Sequence, residues 1–529
     1  MLLHFHCHVN DHILEKDFTK RFTPNLVMNL IALLVSAFVG LLIVPYFIDE
    51  LGIAAYGIVP IATSVTGYVT LASDSIVNSV YRYLAVAVQN DQIDNAKKTY
   101  STAVLGLLKV VIVLIPVVLV ISYLSPYIFD ISGSTSTSVQ LLFLGVLGSV
   151  LIITWSNIFT TVLMSNNRLD LQGTVKIVQL LVQVGLIVLL FNIDGPSLVN
   201  IGIAYFVAAI VFAVMCYALS RKISSELRIE RNRYSSEHFK EICSVGGWNL
   251  VNTIGNLLFI QMSLILVNIF YGSASGGEFS IVASLVSIVV ALSATVTNVF
   301  TPITYHNYST GHYDDMNRMC RSAVKVVGLF VAPVLAFICV FSPQILTLWV
   351  GESFVNLSNL IWIMLIMMVG FEAIAPVYPI ALARLKVRAP AITTVIFGVV
   401  NIVLAAVFYY LTDWGLEGIA IAWTISMLVK NCIFFPWYHA KITGLDGTAF
   451  HSSLLYGYAG MAGSLVLYLI IDYVFEVPAD ILVLLIIAFL VFIVYIALVM
   501  RFLLNKEEKS LVRASIPGPI AKFIPKWVL

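Results

Sequence analysis

The sequence has very little charge for its length. Aspartate, glutamate, lysine and arginine make up 11% of the 529 residues, whereas a soluble domain carries about 25%. Hydrophobic residues make up 60%, and the mean hydropathy is +0.98. A formal net charge of +1 gives no field that would attract a polyanion such as nucleic acid. These values exclude a soluble enzyme, a disordered chain and a nucleic-acid-binding protein, and they predict an all-α polytopic membrane protein.

Several catalytic and structural signatures are also missing. The sequence contains no Walker-type phosphate loop, no H-E-x-x-H zinc motif and no nucleophile elbow. Its six cysteines lie in predicted spans or on the predicted inner side, so we expect no structural disulfide. Metal ligation by the N-terminal His4, His6, Cys7, His8 and His12 stays open, although their spacing fits no ordered site well and a frayed terminus is the preferred interpretation. The sequence therefore predicts a protein that is not an enzyme and holds no resident cofactor, apart from a coupling Na⁺ or H⁺.

Fourteen stretches are apolar and long enough to cross a bilayer, which takes about 20 residues. Backbone groups in lipid must be bonded within the segment, so each stretch is predicted to be a helix. The predicted spans are 25–48, 53–81, 99–124, 139–165, 171–192, 197–220, 244–271, 278–305, 322–349, 357–383, 390–411, 416–439, 453–475 and 480–504. The predicted organisation is an N-terminal segment (1–24), an N-lobe (25–220), a basic linker (221–243), a C-lobe (244–440), two further spans (441–504) and a basic tail (505–529).

The distribution of lysine and arginine predicts the orientation of the chain. With the N-terminus in the cytoplasm, the seven outer connections contain no lysine or arginine. The inner connections contain Lys97, Lys98, Arg168, Arg221, Lys222, Arg228, Arg231, Arg233, Lys240, Arg318, Arg321, Arg384, Lys386, Arg388 and Lys441. A single missed span would invert every later connection and destroy this pattern. Both termini are therefore predicted to be cytoplasmic.

Short sequence words recur about 220 positions apart, which indicates an internal repeat. Asn25-Leu26-Val27 opens the first span and Asn249-Leu250-Val251 opens the seventh, while Arg168 and Arg384 occupy corresponding connections. Each half contains six predicted spans, an even number, so both halves enter the membrane from the same side. The result is a parallel repeat of two six-helix bundles that could enclose a cavity and alternate its access by rocking. Two extra helices follow the repeat.

Three stretches resemble bacterial polysaccharide export proteins: Phe47–Ile76, Phe341–Gly351 and Ala383–Ser426. On these residues the chain is similar to the O-antigen and capsule flippases of the multidrug/oligosaccharidyl-lipid/polysaccharide exporter superfamily. The resemblance implies a V-shaped bundle in the bacterial inner membrane that flips an undecaprenyl-pyrophosphate-linked oligosaccharide. It also implies membrane lipid and the polysaccharide polymerase and chain-length machinery as partners.

Other kinds of function remain as alternatives. Cation-coupled multidrug antiporters of the same superfamily often place an acid in the first span, and lipid II flippases carry basic residues early in it. Residues 25–48 contain no charge. A membrane-embedded glycan polymerase or ligase would carry catalytic groups in a large outer loop, and the longest predicted outer loop contains one acid and no base. The flippase interpretation is therefore preferred.

A flippase for such a cargo needs cations for the pyrophosphate and hydrogen-bonding groups for the sugars. Ionisable residues inside a span are costly unless they face a cavity, so each one is a candidate. The candidate cations are Arg82, Lys109, Lys176 and Lys430. Lys109 is placed about 15 Å into the third span by the helical rise. A structural role stays open for Lys109 and Lys430, and snorkelling to the interface stays open for Lys176.

Polar side chains also line single helix faces. Gln179 and Gln183 share a face with Lys176 in the fifth span, at spacings of three and seven residues. The seventh span carries Asn249, Asn252 and Asn256. The asparagines could hydrogen-bond sugar or join neighbouring helices.

Two acids could gate or couple transport. Asp74 lies on one face with Arg82 at the inner end of the second span, either as a phosphate-side gate or as an ion-pair ladder. Glu372, near the middle of the tenth span, is the deepest acid. It could bind a coupling Na⁺ or H⁺, or it could be a structural partner of Lys109 or Lys430.

Overall fold

The computed structural model describes residues 11–89, 92–244, 247–298, 300–506 and 508–509. Within these ranges the chain is helical apart from turns and short connections, and they contain no β-strand. The chain forms two compact units, Met1–Leu250 and Val251–Leu529. Of the N-terminal histidine and cysteine cluster, His4, His6, Cys7 and His8 lie outside the described residues.

The first unit consists of six long helices and one short one. Their bounds are α1 Asp11–Leu51, α2 Ile53–Gln89, α3 Ile93–Ile128, α4 Ser136–Ser165, α5 Leu169–Asp194, α6 Leu198–Ile223 and α7 Ser236–Ser244. The helix α8, Gly247–Leu257, contains the division between the units. The predicted N-terminal segment is not separate from the first span, because α1 begins at Asp11 and continues through it.

The second unit has shorter and more interrupted helices. Their bounds are α9 Ile260–Tyr271, α10 Ser273–Thr297, α11 Phe300–Ser309, α12 Tyr313–Val340, α13 Ser342–Trp349, α14 Ser358–Leu365, α15 Met368–Ala373, α16 Tyr378–Ala383, α17 Arg388–Leu411, α18 Leu416–Leu428, α19 Phe435–Thr443, α20 His451–Phe475 and α21 Ile481–Leu498. Turns of π-helix, Val429–Phe434 and Val499–Leu503, follow α18 and α21 directly.

The helices confirm the predicted all-α polytopic membrane fold. Twelve of the described helices are long and apolar enough to cross a membrane. The pair Glu352–Leu365 and Met368–Ala383, bent by 42°, would make thirteen if it forms one span. The helix α2 contributes a shorter apolar stretch, Ile53–Tyr68. The number fourteen, the parallel repeat and the cytoplasmic termini stay predictions.

Close backbone contact holds the centre of the first unit together. The helix α4 packs against α2, α3 and α6. A methyl group built on Gly145 of α4 would lie 2.3 Å from the backbone oxygen of Gly202 in α6. Because lipid provides no hydrophobic drive for helix association, small residues that allow such approach are the usual basis of packing between spans.

The predicted basic linker is folded against the first unit. Ser101 Oγ of α3 donates to the backbone oxygen of Arg228 at 3.2 Å and accepts from the Glu230 amide at 3.1 Å. Thr102 Oγ1 makes the corresponding pair of bonds with Arg233 and Ser235. Two hydroxyl groups on α3 thus satisfy four backbone groups of the linker, which makes residues 228–235 part of the unit.

Further contacts dock the helix that ends this segment. The ring of Phe239 on α7 lies over Gly106, where a methyl group would approach it to 2.3 Å. Glu241 of α7 accepts from Tyr83 at 3.1 Å and lies 3.1 Å from the His238 ring nitrogen. The hydrogen bonds from His238 and Tyr83 hold the pKa of the Glu241 carboxyl below its ordinary value.

A buried ion pair fixes the end of the last helix in the second unit. Lys325 Nζ of α12 donates to Glu508 Oε2 at 2.9 Å and to the backbone oxygen of Leu503 at 2.7 Å. Glu508 also accepts from the Asn505 amide at 2.9 Å, while its own amide donates to Asn505 Oδ1 at 2.8 Å, a reciprocal arrangement that caps a helix start. Glu508 of the predicted basic tail is thus tied to α12, while Asn505 and Lys506 are exposed. Residues 507 and 510–529 lie outside the described residues, and the basic tail stays a prediction.

We expect Gly145→Ala to destabilise the first unit, because the added methyl group cannot fit against the Gly202 backbone. Overpacking of this kind costs about 1–3 kcal/mol. Thermal unfolding of the purified protein should show a lower midpoint for this variant. The matched control is Gly185→Ala in α5, where a methyl group meets nothing within 4 Å and helix propensity improves. An equal response of the two variants would contradict the packing argument.

Candidate functional site

The site is centred on Lys430, a lysine whose side chain is buried in the second unit. The residue is 4% exposed, and it lies in the π-helical turn Val429–Phe434 between α18 and α19. Turns of π-helix interrupt the regular bonding of a helix and often mark functional positions. Lys430 forms no salt bridge within the described residues. A buried cation without a carboxylate in contact is costly, so it needs another source of stabilisation.

Aromatic rings and an amide stabilise the Lys430 ammonium group. Its Nζ lies 4.5 Å from the ring centre of Phe259 and 5.6 Å from that of Phe435. Attraction between a desolvated ammonium group and such a ring amounts to about 2 kcal/mol. The Nζ also donates a long hydrogen bond of 3.5 Å to Asn256 Oδ1. These contacts do not neutralise the ammonium charge, because an amide oxygen carries no full charge.

A break in the seventh predicted span places Asn256 and Phe259 beside this lysine. The helix α8 ends at Leu257 and α9 begins at Ile260. Asn401 of α17 donates to the backbone oxygen of Leu258 at 3.1 Å and to Ser263 Oγ at 3.1 Å. This side chain satisfies a carbonyl group at the break, where helical bonding is interrupted. The break is thus stabilised by a specific side-chain hydrogen bond from α17.

The predicted asparagines have different surroundings. Asn252 Oδ1 accepts from Thr394 Oγ1 of α17 at 3.0 Å, which is the interhelical bonding that the sequence left open. Asn256 is exposed and contacts Lys430. The Asn249 side chain lies outside the described residues. The structure therefore brings together Lys430 and Asn256 of the predicted set.

Glu372 of α15 is the acid of this region. It is partly buried, lies close to the Ser293 hydroxyl of α10 and interacts electrostatically with Lys430. It forms no salt bridge with Lys430 within the described part of the chain, so the two groups remain available to a proton or an ion as well as to each other. This proximity agrees with the structural partnership that the sequence left open for Lys430.

Lys109 contacts an aromatic residue of the segment between α6 and α7. Its Nζ lies 3.7 Å from the ring centre of Tyr234, a residue of the charged segment that follows α6. The helix α3 has 36 residues, or about 54 Å by the helical rise, so it is longer than a hydrocarbon core of about 30 Å. The contact with Tyr234 agrees with the structural role that the sequence left open for Lys109. The depth of Lys109 in the membrane stays a prediction.

The other candidates of the first unit do not converge on one point of contact. Arg82 and Lys176 are exposed, and no salt bridge to either is found among the described residues. Gln179 is half-buried, and Gln183 lies beside the Tyr205 hydroxyl of α6. The Asp74 side chain lies outside the described residues. The predicted gate of Asp74 and Arg82 thus stays a prediction.

An apolar groove of about 770 Å³ runs along α1 and α5 of the first unit. Leu34, Phe38 and Leu42 of α1 line one wall, and Leu181 and Val188 of α5 line the other. These five side chains are exposed. Both helices are candidate membrane spans, so the groove offers an apolar surface on which hydrocarbon chains can pack.

Sequence reasoning missed several residues that shape these sites. Phe259 and Asn401 belong to ordinary apolar spans, and only the break between α8 and α9 reveals their role. Lys325 was overlooked because its partner Glu508 lies 183 positions away. A search for every lysine within four residues of a span end would have found Lys325, but not its partner.

More than half of the chain matches a known protein family. The profile described as "polysaccharide biosynthesis protein" matches residues 22–305, which is more than half of the chain. The chain belongs to this family. The family assignment made from the sequence is thereby confirmed.

Two proteins with similar sequences belong to bacteria. The uncharacterized membrane protein EpsK of Bacillus subtilis (strain 168) is 27% identical over 428 residues, which cover 79% of this chain and 83% of EpsK. A Shigella flexneri protein whose name proposes O-antigen transport is 20% identical over 404 residues, which cover 74% of this chain and 91% of that protein.

Solved structures with the same fold include a lipid flippase and multidrug resistance transporters. The lipid II flippase MurJ in an inward closed conformation has a TM-score of 0.66 and 16% identity, covering 91% of this chain and 99% of MurJ. An inward-facing multidrug resistance MATE family transporter of the MOP superfamily has a TM-score of 0.63 and 16% identity, covering 77% of this chain and 95% of that transporter. At these identities the likeness establishes the fold of this family member and leaves its cargo to be argued from its residues.

We expect Lys109→Met to loosen the segment that contains Tyr234, because the cation–π contact is lost. Such a contact amounts to about 0.5–2 kcal/mol, so trypsin should cleave the native protein at Arg228, Arg231 or Arg233 about 2- to 30-fold faster. Lys97→Met, which removes a neighbouring charge on α3, is the control. Unchanged cleavage combined with lost transport would instead assign Lys109 to the cargo.

Proposed function

We propose that this protein is a flippase for an undecaprenyl-pyrophosphate-linked oligosaccharide and works by alternating access in the bacterial cell membrane. The observation that carries the proposal is Lys430, which is buried without a carboxylate ion pair in the described residues. A pyrophosphate would supply a charged acceptor for the Lys430 ammonium group, whereas Asn256 supplies only a neutral amide oxygen. As a transporter the protein would make and break no covalent bond.

Two further features support the same cargo. The exposed amide of Asn256 adjoins Lys430, so an anion and a sugar hydroxyl could be bound side by side. The apolar groove on α1 and α5 offers a hydrocarbon surface of the kind that a polyprenyl tail needs. The family membership and the name of the Shigella flexneri relative point to surface polysaccharide. Polysaccharide polymerase and chain-length machinery stay predicted partners.

The second candidate is a cation-coupled multidrug antiporter. Glu372 favours it, because a partly buried carboxyl group near a lysine can exchange a proton or a cation. The same group could equally couple a flippase to an ion gradient. A lipid II flippase is a third candidate, supported by the fold that the chain shares with MurJ.

Deletion of the gene separates these candidates. We expect undecaprenyl-linked oligosaccharide to accumulate on the cytoplasmic face of the membrane, and the wild-type gene to restore surface polysaccharide. Normal surface polysaccharide together with increased sensitivity to cationic dyes would identify the antiporter. Accumulation of lipid II with an otherwise normal surface polysaccharide would identify the lipid II flippase.

We expect Lys430→Gln to restore surface polysaccharide poorly in the deletion strain, because the charged acceptor loses its cation. A hydrogen bond to a charged group contributes about 1.5–3 kcal/mol, so the transport rate at equal abundance should fall about 10- to 100-fold. Lys430→Arg should retain part of the activity. Lys222→Gln, at an exposed lysine at the end of α6, is the charge-matched control. Wild-type transport by Lys430→Gln would remove the basis of the proposal.

We expect Glu372→Gln to change the dependence of transport on an ion gradient more than it changes protein abundance. The substitution keeps the shape of the side chain but prevents it from taking up or releasing a proton. Transport into vesicles would be measured with and without imposed H⁺ and Na⁺ gradients, with Glu417→Gln at the start of α18 as the control. A parallel loss of transport and abundance would assign Glu372 a structural role.

A further inference from the structure

A second basic cavity lies in the second unit, away from Lys430. It has a volume of about 620 Å³ and lies between the first turn of α17 and the last turns of α19. Two lysines, Lys386 and Lys441, line it together with Trp437, Tyr438 and Thr393. With Phe434, the cavity therefore combines two ammonium groups, three aromatic side chains and two hydroxyl groups at one end of two candidate spans.

A strained turn places Lys386 at this cavity. Leu385 has a φ of 55°, a left-handed conformation that is unusual for a residue with a branched side chain. The Leu385 amide donates to Leu382 and the Lys386 amide to Ala381, at 3.1 and 2.8 Å. The Tyr438 hydroxyl donates to the backbone oxygen of Lys386 at 2.9 Å. The turn is thus held from two sides.

The first unit contains a turn of the same backbone geometry, but its charge is neutralised. Asn167 has a φ of 54°, and the Arg168 amide bonds to Leu163 at 2.8 Å. Arg168 is neutralised there by Asp170, with two nitrogen–oxygen distances of 3.0 Å. In the second turn the residue two positions after Lys386 is Arg388. The acid that neutralises the first turn is thus replaced by a base.

No salt bridge to Lys386 or Lys441 occurs within the part of the chain that the structure describes. Lys441 Nζ instead lies 5.0 Å from the ring centre of Trp437. A pair of ammonium groups at one cavity repel each other unless an anion lies between them. Both lysines are exposed, so a phosphate in the cavity could contact both ammonium groups and reduce the repulsion between them.

The position of the cavity points to a lipid as the source of the phosphate. Lysine and arginine concentrate on the cytoplasmic side of a membrane protein, and tryptophan and tyrosine concentrate at headgroup level. Leu385, beside the cavity, is 85% exposed, which is favourable where an apolar side chain can enter the membrane. Lys441 lies about 16 Å along the helix from Lys430, so the two cations act at different depths.

We propose that this cavity binds the phosphate headgroup of an anionic glycerophospholipid in the cytoplasmic leaflet. Lys386 and Lys441 contact the phosphate oxygens, and Thr393 and the Tyr438 edge contact the polar glycerol. The acyl chains follow the apolar residues of α17 into the bilayer. A lipid held at headgroup level is not a cargo, so this site is distinct from the one centred on Lys430.

Native mass spectrometry of the purified full-length protein with added phosphatidylglycerol tests the proposal. Each lysine near a membrane surface contributes about 1 kcal/mol to binding an anionic lipid, so Lys386→Gln/Lys441→Gln should bind phosphatidylglycerol about thirtyfold more weakly. Lys97→Gln/Lys98→Gln removes the same charge from α3 and should bind as the wild type does. The Lys386→Arg/Lys441→Arg variant should retain binding, which distinguishes lost recognition from misfolding.

Parallel titrations with phosphatidylcholine and undecaprenyl phosphate identify the source of the phosphate. We expect the lysine-dependent binding with phosphatidylglycerol only. Equal weakening in the control pair, or equal binding of phosphatidylcholine, would overturn the site. Lysine-dependent binding of undecaprenyl phosphate alone would overturn the assignment to a glycerophospholipid and make the cavity part of the cargo path.

Discussion

The cost of an unpaired charge in hydrocarbon is the constraint on which this structure depends. Spans exclude charge because a buried ion costs several kcal/mol unless it is paired or hydrated, and two lysines of the second unit show the two ways of meeting that cost. Lys325 is paired with Glu508 and bonded to a backbone carbonyl, so its charge is neutralised and it attaches the residues that follow the last helix to α12. Lys430 is stabilised by aromatic rings and one amide, so its charge is still available. The two lysines thus differ in their bonding partners: Lys325 contacts a carboxylate, whereas Lys430 contacts a neutral amide and aromatic rings.

The sequence predicted the fold class and the family, and it singled out Lys430 as a lysine within a span, because each of these depends on local composition. Hydropathy identifies spans residue by residue, and a lysine inside a span is visible without knowledge of its neighbours. The contact of Lys109 with Tyr234 was not predicted, because the two residues are 125 positions apart (234 − 109 = 125) and hydropathy does not reveal contacts between distant segments. The pairing of Lys325 with Glu508 was invisible for the same reason.

The backbone turns refine the internal repeat that short words suggested. Asn167 and Leu385 adopt the same left-handed conformation, and the matching bonds to Leu163 and Ala381 are 218 positions apart (381 − 163 = 218). By turn geometry Arg168 corresponds to Lys386, whereas the sequence words had aligned it with Arg384; the parallel repeat itself stays a prediction. Turn geometry locates equivalent residues to within one position, whereas apolar words can slip. The two turns differ in charge, because Arg168 is paired with Asp170 whereas the second turn carries Lys386 and Arg388.

The two units differ in how regular their helices are, and Lys430 lies in the unit whose helices are interrupted. In the described residues, α1 to α6 of the first unit run without interruption, whereas the second unit breaks near Leu258, bends between α14 and α15 and widens into a π-helical turn at Lys430. Irregular backbone at membrane depth is tolerated only where protein or water satisfies the freed groups. Asn401 does so at Leu258, and the rings of Phe259 and Phe435 lie beside the Lys430 ammonium group. The second unit thus combines interrupted helices with a buried lysine, while α1 to α6 of the first unit are regular.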